Sequence, residues 1–351
     1  MDLKSKRIAV LAPVAWRTPP RAYGAWETVA SNITEGLVAR GWKNVTLFAT
    51  KESITGARLE AIIEKGYEED KSQIPKVSEC LHISKVMERA DEFDLIHNNF
   101  DYLPLTYLPF IKTPMLTTIH GFSSPDILRV YHEHKDTYYV SISDSDRDKD
   151  LPYLATVYNG IDLSNITFRP TPGDMLVHYG RIHMDKGTHL AIEVAKKIGR
   201  DLIIAGIIQD QEYFDNSLKP HINDSSIQYI GPVNPVQRDA LLKEASAVLH
   251  LNTIPERFGL VLAESNAAGV PVIAMDLGSC REVIADKQTG YLVNGVDEAV
   301  EAVGKIEQID RKKCRQRVEE NFSIDKMVQG YEKVYEEIFR REAQKKNLSG
   351  R

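Results

Sequence analysis

The chain has 351 residues, beyond the length at which a single hydrophobic core keeps growing, so two domains are expected. Hydrophobic residues make up 42% and charged residues 27%, the balance of an ordinary globular protein. A formal net charge of −6 argues against a general nucleic-acid or anionic-membrane binder. No apolar run reaches the ~18 residues that span a bilayer, and three scattered cysteines give neither a disulfide framework nor a zinc site. A cytoplasmic location is expected, and the oligomeric state stays open.

Strand and helix patterns alternate along the whole chain. Arg7 to Ala12 is a short apolar run of the kind buried on both faces, and residues 25–40 carry helical spacing that stops at Gly41. Strands are expected at 45–49, 95–97, 115–119 and 138–142. A polar stretch with Pro170, Pro172 and Gly173 then places a boundary between domains 1–164 and 165–323. The pattern restarts at 175–180 and continues near 202–205, 227–230, 247–251, 271–274 and 290–293. Residues 324 to about 344 form one long charged helix. Repeated β-α units imply an α/β fold of two Rossmann-like, doubly wound parallel sheets, with ligands at the C-terminal ends of the strands.

Four loops fall at such ends. Ala12 to Glu27 holds Trp16, three prolines, Tyr23, Gly24, Ala25 and Glu27; it is long for a β-α turn and lacks Gly-x-Gly-x-x-Gly, which counts against NAD or FAD. A surface loop shaped by proline is its plain alternative. Thr117 to Phe122 ends a strand with His120 and Gly121, which either aims an imidazole out of the sheet edge or buries it structurally. Gly180 to Gly187 carries Arg181 and Lys186, a guanidinium fork and a point charge of the kind a diphosphate requires, unless both are simply solvated. Pro255 to Glu264 reads as loop, Gly259, then an apolar helix begun near Phe258. Glu256 would lie beside the helix N-terminus and Glu264 about two turns on. A helix N-terminus suits phosphate and carboxylates suit sugar or ribose hydroxyls; an amphipathic helix with two solvated glutamates is the alternative.

The order of motifs is more specific than any one of them. Tyr23-Gly24-Ala25-Trp26-Glu27, Asp94-Leu-Ile-His97, Thr118-Ile-His120-Gly121, Tyr158-Asn-Gly-Ile-Asp162 and Gly180-Arg181…Lys186-Gly187 follow one another. Tyr229-Ile-Gly231-Pro232, Pro255-Glu256-Arg-Phe258-Gly259…Glu264, Ala268-Gly269-Val-Pro271-Val272 and Arg281-Glu282-Val283…Thr289-Gly290-Tyr-Leu292-Val293 complete the series. Together they resemble a retaining glycosyltransferase of the family-4 type (glycosyl transferases group 1) with the two-domain GT-B fold. The resemblance implies a hexosyl transfer from a nucleotide-diphosphate sugar, a UDP-sugar favoured over GDP-mannose, to an acceptor hydroxyl, with no cofactor besides that donor substrate and no metal. It places Arg181 and Lys186 on the donor diphosphate, Glu256 on the donor sugar, Glu264 on the ribose hydroxyls and His120 at the reacting face. Gly24, Phe258, Gly259 and Gly231 would line the donor, with the backbone of 229–233 against the base. The first domain would carry the acceptor and the second the nucleotide-sugar donor, and the final helix would return to the first domain.

Departures from the pattern are Ala25 in place of a second loop glycine, Ser265-Asn266 after Glu264, and Ser279 where glycine is common. Asp144, Asp146, Asp148 and Asp150 form overlapping Asp-x-Asp pairs, which elsewhere hold a divalent ion on a diphosphate. Here Ser143 or Asp144 reads as an N-cap, with the acids in a first helical turn, and no metal site is expected. Two other readings share the motifs: a nucleotide-sugar epimerase, and a non-catalytic sugar-nucleotide-binding subunit.

Overall fold

The computed structural model describes residues 2–121, 125–223 and 225–349. The chain divides into two compact units: one runs to Gly160 and resumes at Ile324, and the other is Ile161–Ser323. The break therefore lies at 160/161 rather than at 164/165.

The first unit holds seven strands: β1 (Arg7–Leu11), β2 (Asn44–Phe48), β3 (Arg58–Glu60), β4 (Leu95–Asn98), β5 (Met115–Ile119), β6 (Tyr138–Ser141) and β7 (Tyr153–Thr156). Their order in the sheet is β3-β2-β1-β4-β5-β6-β7, with every ladder parallel. The edge strands β3 and β7 have no counterpart in the sequence reading. Each is short and only half buried, so neither shows the unbroken apolar run of a central strand. The strand order reverses direction between β1 and β4. The loops leaving those two strands therefore border the crevice of this sheet.

The helix Ala25–Ala39 starts at Gly24, whose φ of 145° suits glycine. A Cβ there would lie 2.9 Å from the Pro20 ring and 3.0 Å from the Glu27 carboxylate. The final helix, Ile324–Ser349, packs within this unit. Gly36 is the reason two helices meet closely: a Cβ there would fall 2.5 Å from Val328. Tyr331 and Tyr335 of that helix are fully buried, and their hydroxyls are satisfied. Tyr335 pairs with His97 Nδ1 at 2.7 Å and Tyr331 with Thr118 Oγ1 at 2.9 Å, while His97 Nε2 meets the same Thr118 hydroxyl at 2.8 Å.

The segment 144–150 corrects one expectation. It is a chain of bends and turns between β6 and β7, with no helix to cap. Asp148 bonds His132 Nε2 at 3.1 Å and accepts the backbone N–H of Asp150 at 2.9 Å. Pro152 and the start of β7 at Tyr153 leave no room for a helix, and the clustered carboxylates turn the chain locally instead.

The second unit holds β8 (Met175–Tyr179), β9 (Leu202–Ala205), β10 (Ile227–Tyr229), β11 (Ala245–His250), β12 (Val272–Met275) and β13 (Gly290–Val293). The order is β10-β9-β8-β11-β12-β13, again all parallel. Direction reverses between β8 and β11, so the loops after these two strands form its crevice. Arg311 is buried and donates to the carbonyl of Arg169 at 2.8 Å, tying the entry of the unit to its last helices. The three cysteines are free thiols, with Cys280 and Cys314 buried. No described helix is long and apolar enough to cross a membrane.

Candidate functional site

The crevice of the second unit is built by two loops stitched together. After β8 the chain turns at Gly180 and makes a single 3-10 turn, Met184–Lys186. It then enters the helix Thr188–Ile198 through Gly187 in the left-handed conformation, φ 63°. A Cβ at Gly187 would sit 1.8 Å from the carbonyl oxygen of Leu251, so only glycine lets the loop after β8 lie against the end of β11. The backbone N–H of Thr253 donates to Asp185 at 2.9 Å. His178 joins the same elements, donating from Nδ1 to Leu249 at 3.0 Å and accepting the Thr188 hydroxyl at Nε2, 3.0 Å.

This stitching brings Lys186 onto Glu256. Lys186 Nζ lies 2.6 Å from Glu256 Oε2, and the same oxygen accepts Asn252 Nδ2 at 2.6 Å and His250 Nε2 at 2.9 Å. The backbone N–H of Arg257 donates to Oε1 at 3.1 Å. The side chain of Glu256 is only 10% exposed. Burial by itself would raise its pKa, but His250 and the Lys186 cation outweigh burial and hold the carboxyl well below the usual range. His250 is driven the other way: burial keeps its imidazole neutral against the pull of Glu256. Its Nε2 is therefore the protonated nitrogen that donates to the carboxylate. The main chain of Glu256 is fixed as well. Its carbonyl accepts Ser279 N–H at 3.0 Å, and a Cβ at Gly278 would come within 2.3 Å of that carbonyl.

The helix that follows is Leu260–Ala267, entered through Gly259 at φ 81°, slightly later than the sequence suggests. Phe258 is 2% exposed and packs edge-on against Phe322 at 5.8 Å, so its ring anchors the loop from below. Glu264 is also buried. Arg238 Nη1 reaches its Oε1 at 2.5 Å and the Tyr179 hydroxyl its Oε2 at 3.4 Å. Burial pushes Glu264 upward, while Arg238 and Tyr179 work against that. Two solvated glutamates, the plain reading of Glu256 and Glu264, is thus overturned: each carboxylate is largely or fully removed from solvent and paired with a cation. Ser265 and Asn266 are buried and serve the helix itself, Ser265 donating to Val261 at 2.7 Å and Asn266 to Val270 at 3.1 Å.

The remaining expected residues have other surroundings. Arg181 bonds Gln209 through its guanidinium, so the two cations of this loop have different protein partners. Gly231 has φ 79° and accepts the Gly206 N–H at 2.8 Å, while Tyr229 donates to Gly206 at 2.7 Å. In the first unit His120 is buried, stacked on Trp26 at 5.5 Å, with Nε2 donating to Asn99 Oδ1 at 3.1 Å. Burial lowers its pKa to about 3, so the ring is neutral and Nδ1 is its acceptor nitrogen. Phe122 lies outside the described residues. Arg238, Tyr179, His250 and Asn252 were not foreseen, because nothing in their local spacing sets them apart; β8 and β11 bring Tyr179, His250 and Asn252 to these carboxylates, and the helix Pro235–Lys243 brings Arg238.

Residues 162–322 match the family model of glycosyl transferases group 1. A glycogen synthase of Mycobacterium tuberculosis is 29% identical over 290 residues, covering 71% of this chain and 70% of its own. Among solved structures, the sucrose-phosphate synthase of Thermosynechococcus elongatus has a TM-score of 0.77 at 18% identity, covering 96% of this chain and all of its own, 100%. Anabaena HepE in complex with UDP and glucose has a TM-score of 0.73 at 18% identity, covering 95% and 100%. Residues 162–322, within the second unit, thus match the glycosyl transferases group 1, and the two doubly wound parallel sheets are those of the GT-B fold.

Proposed function

We propose that this glycosyltransferase moves a hexosyl unit from a nucleotide-diphosphate sugar, a UDP-sugar in preference to GDP-mannose, to an acceptor hydroxyl, with retention and without a metal ion. The observation that carries the reading is the largely shielded Lys186–Glu256 pair at the switch point of the second sheet. A carboxylate held ionised and mostly shielded from water is a strong acceptor for sugar hydroxyls. The adjoining ammonium can meet the negative charge that grows on a departing diphosphate. Glu264, oriented by Arg238, would take the ribose hydroxyls. The solved complex of Anabaena HepE with UDP and glucose supports the base assignment by fold likeness.

In this scheme the bond from the anomeric carbon to the diphosphate oxygen breaks while the acceptor oxygen bonds to the same face. The acceptor proton passes to the leaving diphosphate. Lys186 and Arg181 supply the countercharge. The neutral imidazole of His120 offers Nδ1 as an acceptor to a hydroxyl near the first unit's crevice.

A thermal-shift screen of UDP, GDP, ADP and their sugars, followed by a transfer assay with the donor that binds, tests the reading. Stabilisation by UDP and its sugars with release of UDP on acceptor addition is expected. Stabilisation without turnover over any acceptor would favour a non-catalytic binding subunit, and interconversion of free nucleotide sugars would favour an epimerase.

A further inference from the structure

The first unit has an open cavity of about 360 Å³, lined only by its own residues, beside the crevice between β1 and β4. Its walls combine two chemistries. Trp16, Tyr23, Trp26 and Tyr102 give aromatic surface, with Trp16 and Tyr23 edge-to-face at 6.1 Å. Glu27, Glu79 and Asp101 give three carboxyl groups. Among the described residues that line the cavity there is no lysine, arginine or histidine.

Each carboxyl is aimed by a hydrogen-bond donor. Glu27 accepts the backbone N–H of Trp16 at 3.1 Å, Glu79 the Tyr67 hydroxyl at 3.0 Å, and Asp101 the Tyr131 hydroxyl at 2.6 Å. Asp101 also has φ 89°, a conformation that L-residues with a side chain rarely adopt. Asn98 holds it there, donating from Nδ2 to the Asp101 carbonyl at 2.8 Å and accepting the Phe100 N–H at 2.8 Å. Backbone strain kept in place by a dedicated clamp is characteristic of a binding position. Burial raises Glu27 to about 7 and Asp101 to about 6, so near neutrality the cavity offers both carboxyl donors and carboxylate acceptors.

Aromatic faces accept the C–H face of a saturated ring, carboxyl oxygens accept its hydroxyls, and three acids without a cation repel an anion. The family resemblance already places the acceptor on the first unit; we propose that this cavity selects there an uncharged polyhydroxylated ring, a pyranose or a cyclitol, rather than a phosphorylated one. The word acceptor rests on the glycosyltransferase reading above; the ligand class rests on the cavity alone.

All three tryptophans lie in this unit, two on the cavity wall and Trp42 buried with its indole N–H on Glu332. Intrinsic fluorescence of the full chain therefore reports the cavity directly. Titrations would use methyl α-glucopyranoside, methyl α-mannopyranoside and myo-inositol, each against its phosphorylated counterpart. At least one neutral probe should saturate, with its phosphorylated form at least ten-fold weaker, and the pyranoside and inositol arms separate the two ring classes. Trp16→Ala should weaken the neutral probe about ten-fold by removing one aromatic wall. Asp101→Asn, which tolerates the same φ, should narrow the neutral-to-phosphorylated ratio several-fold; UDP binding by thermal shift should be unchanged in both variants. Equal or tighter binding of the phosphorylated probes, or no saturation by any neutral ring at tens of millimolar while UDP still binds, would overturn the proposal. Failure of UDP to bind would count against the donor reading in the second unit, and the ring titration would still decide this one.

Discussion

Substituting Lys186 by methionine removes the cation beside a carboxylate that is only 10% exposed, and the consequence can be worked from the contacts. Breaking a buried ion pair by deleting one partner costs about 3–5 kcal/mol, because the surviving charge is left uncompensated. Here the low end applies, about 3 kcal/mol, since His250 and Asn252 still bond the same oxygen and Lys186 is itself 19% exposed. The double variant Lys186→Met with Glu256→Gln removes both charges and should regain most of that loss. The second unit contains no tryptophan, so fluorescence would miss the change. Calorimetry, or hydrogen exchange of β11 and β12 amides, would read it. The pH dependence follows from the sign of the shift. Glu256 is depressed in the folded chain, so its contribution is present above the ordinary carboxylate range and lost as pH falls through the folded value. The acid-side slope should therefore shrink in Lys186→Met. A single variant as stable as the parent, or a double variant no better than the single, would refute the description of the pair as buried and coupled.

Three further outcomes are expected. Arg238→Met should raise the donor KM about ten-fold or more with little change in kcat, because Glu264 would lose the cation that opposes its burial. Arg238→Lys should restore part of the affinity, and a fall confined to kcat would contradict the positioning role. Burial lowers His82 to about 4 and His97 and His120 to about 3, so the unfolded chain alone takes up these protons below about pH 6.5. Each costs about 1.4 kcal/mol per pH unit in that window, and Glu27, raised to about 7, opposes them; the tryptophan-monitored melting temperature should drop from pH 7 to pH 5, more steeply in Glu27→Gln. A flat profile would contradict the buried neutral imidazoles. On the proposed role of Arg181 and Lys186 as countercharge, transfer should persist in excess EDTA; restoration of a lost activity by Mg²⁺ or Mn²⁺ would redirect attention to His132, Asp148 and Asp150, whose ligand atoms lie within 4.8 Å of one another.

Central strands and the positions of the carboxylates could be read from the sequence because their determinants are local. An apolar run such as Ile8 to Leu11 has no other place than a sheet buried on both faces, and Gly187 and Gly259 mark helix entries by their backbone freedom. Edge strands escaped because β3 is Arg-Leu-Glu and needs no apolar run. The 144–150 turn escaped because capping residues also serve turns, and Pro152 decided between them. The site was half legible. Glu256 and Glu264 stood out by spacing, but whether they were solvated depended on Lys186, His250, Asn252, Arg238 and Tyr179. Some of these lie far away in the chain and are gathered by the β8–β11 switch point. The pairing of Lys186 with Glu256 itself required the close approach of Gly187 to Leu251, a contact that no local pattern encodes.

A nucleotide-diphosphate sugar is proposed to bind in the second unit at the Lys186–Glu256 pair. Calorimetric titration of UDP-glucose and UDP into the full chain and into Lys186→Met and Glu264→Gln tests it most directly. Saturable binding to the parent chain and at least ten-fold weaker binding to each variant are expected, because each removes a charge-assisted contact. Equal affinity in all three, or no binding of any nucleoside diphosphate or its sugar to the parent chain, would contradict it.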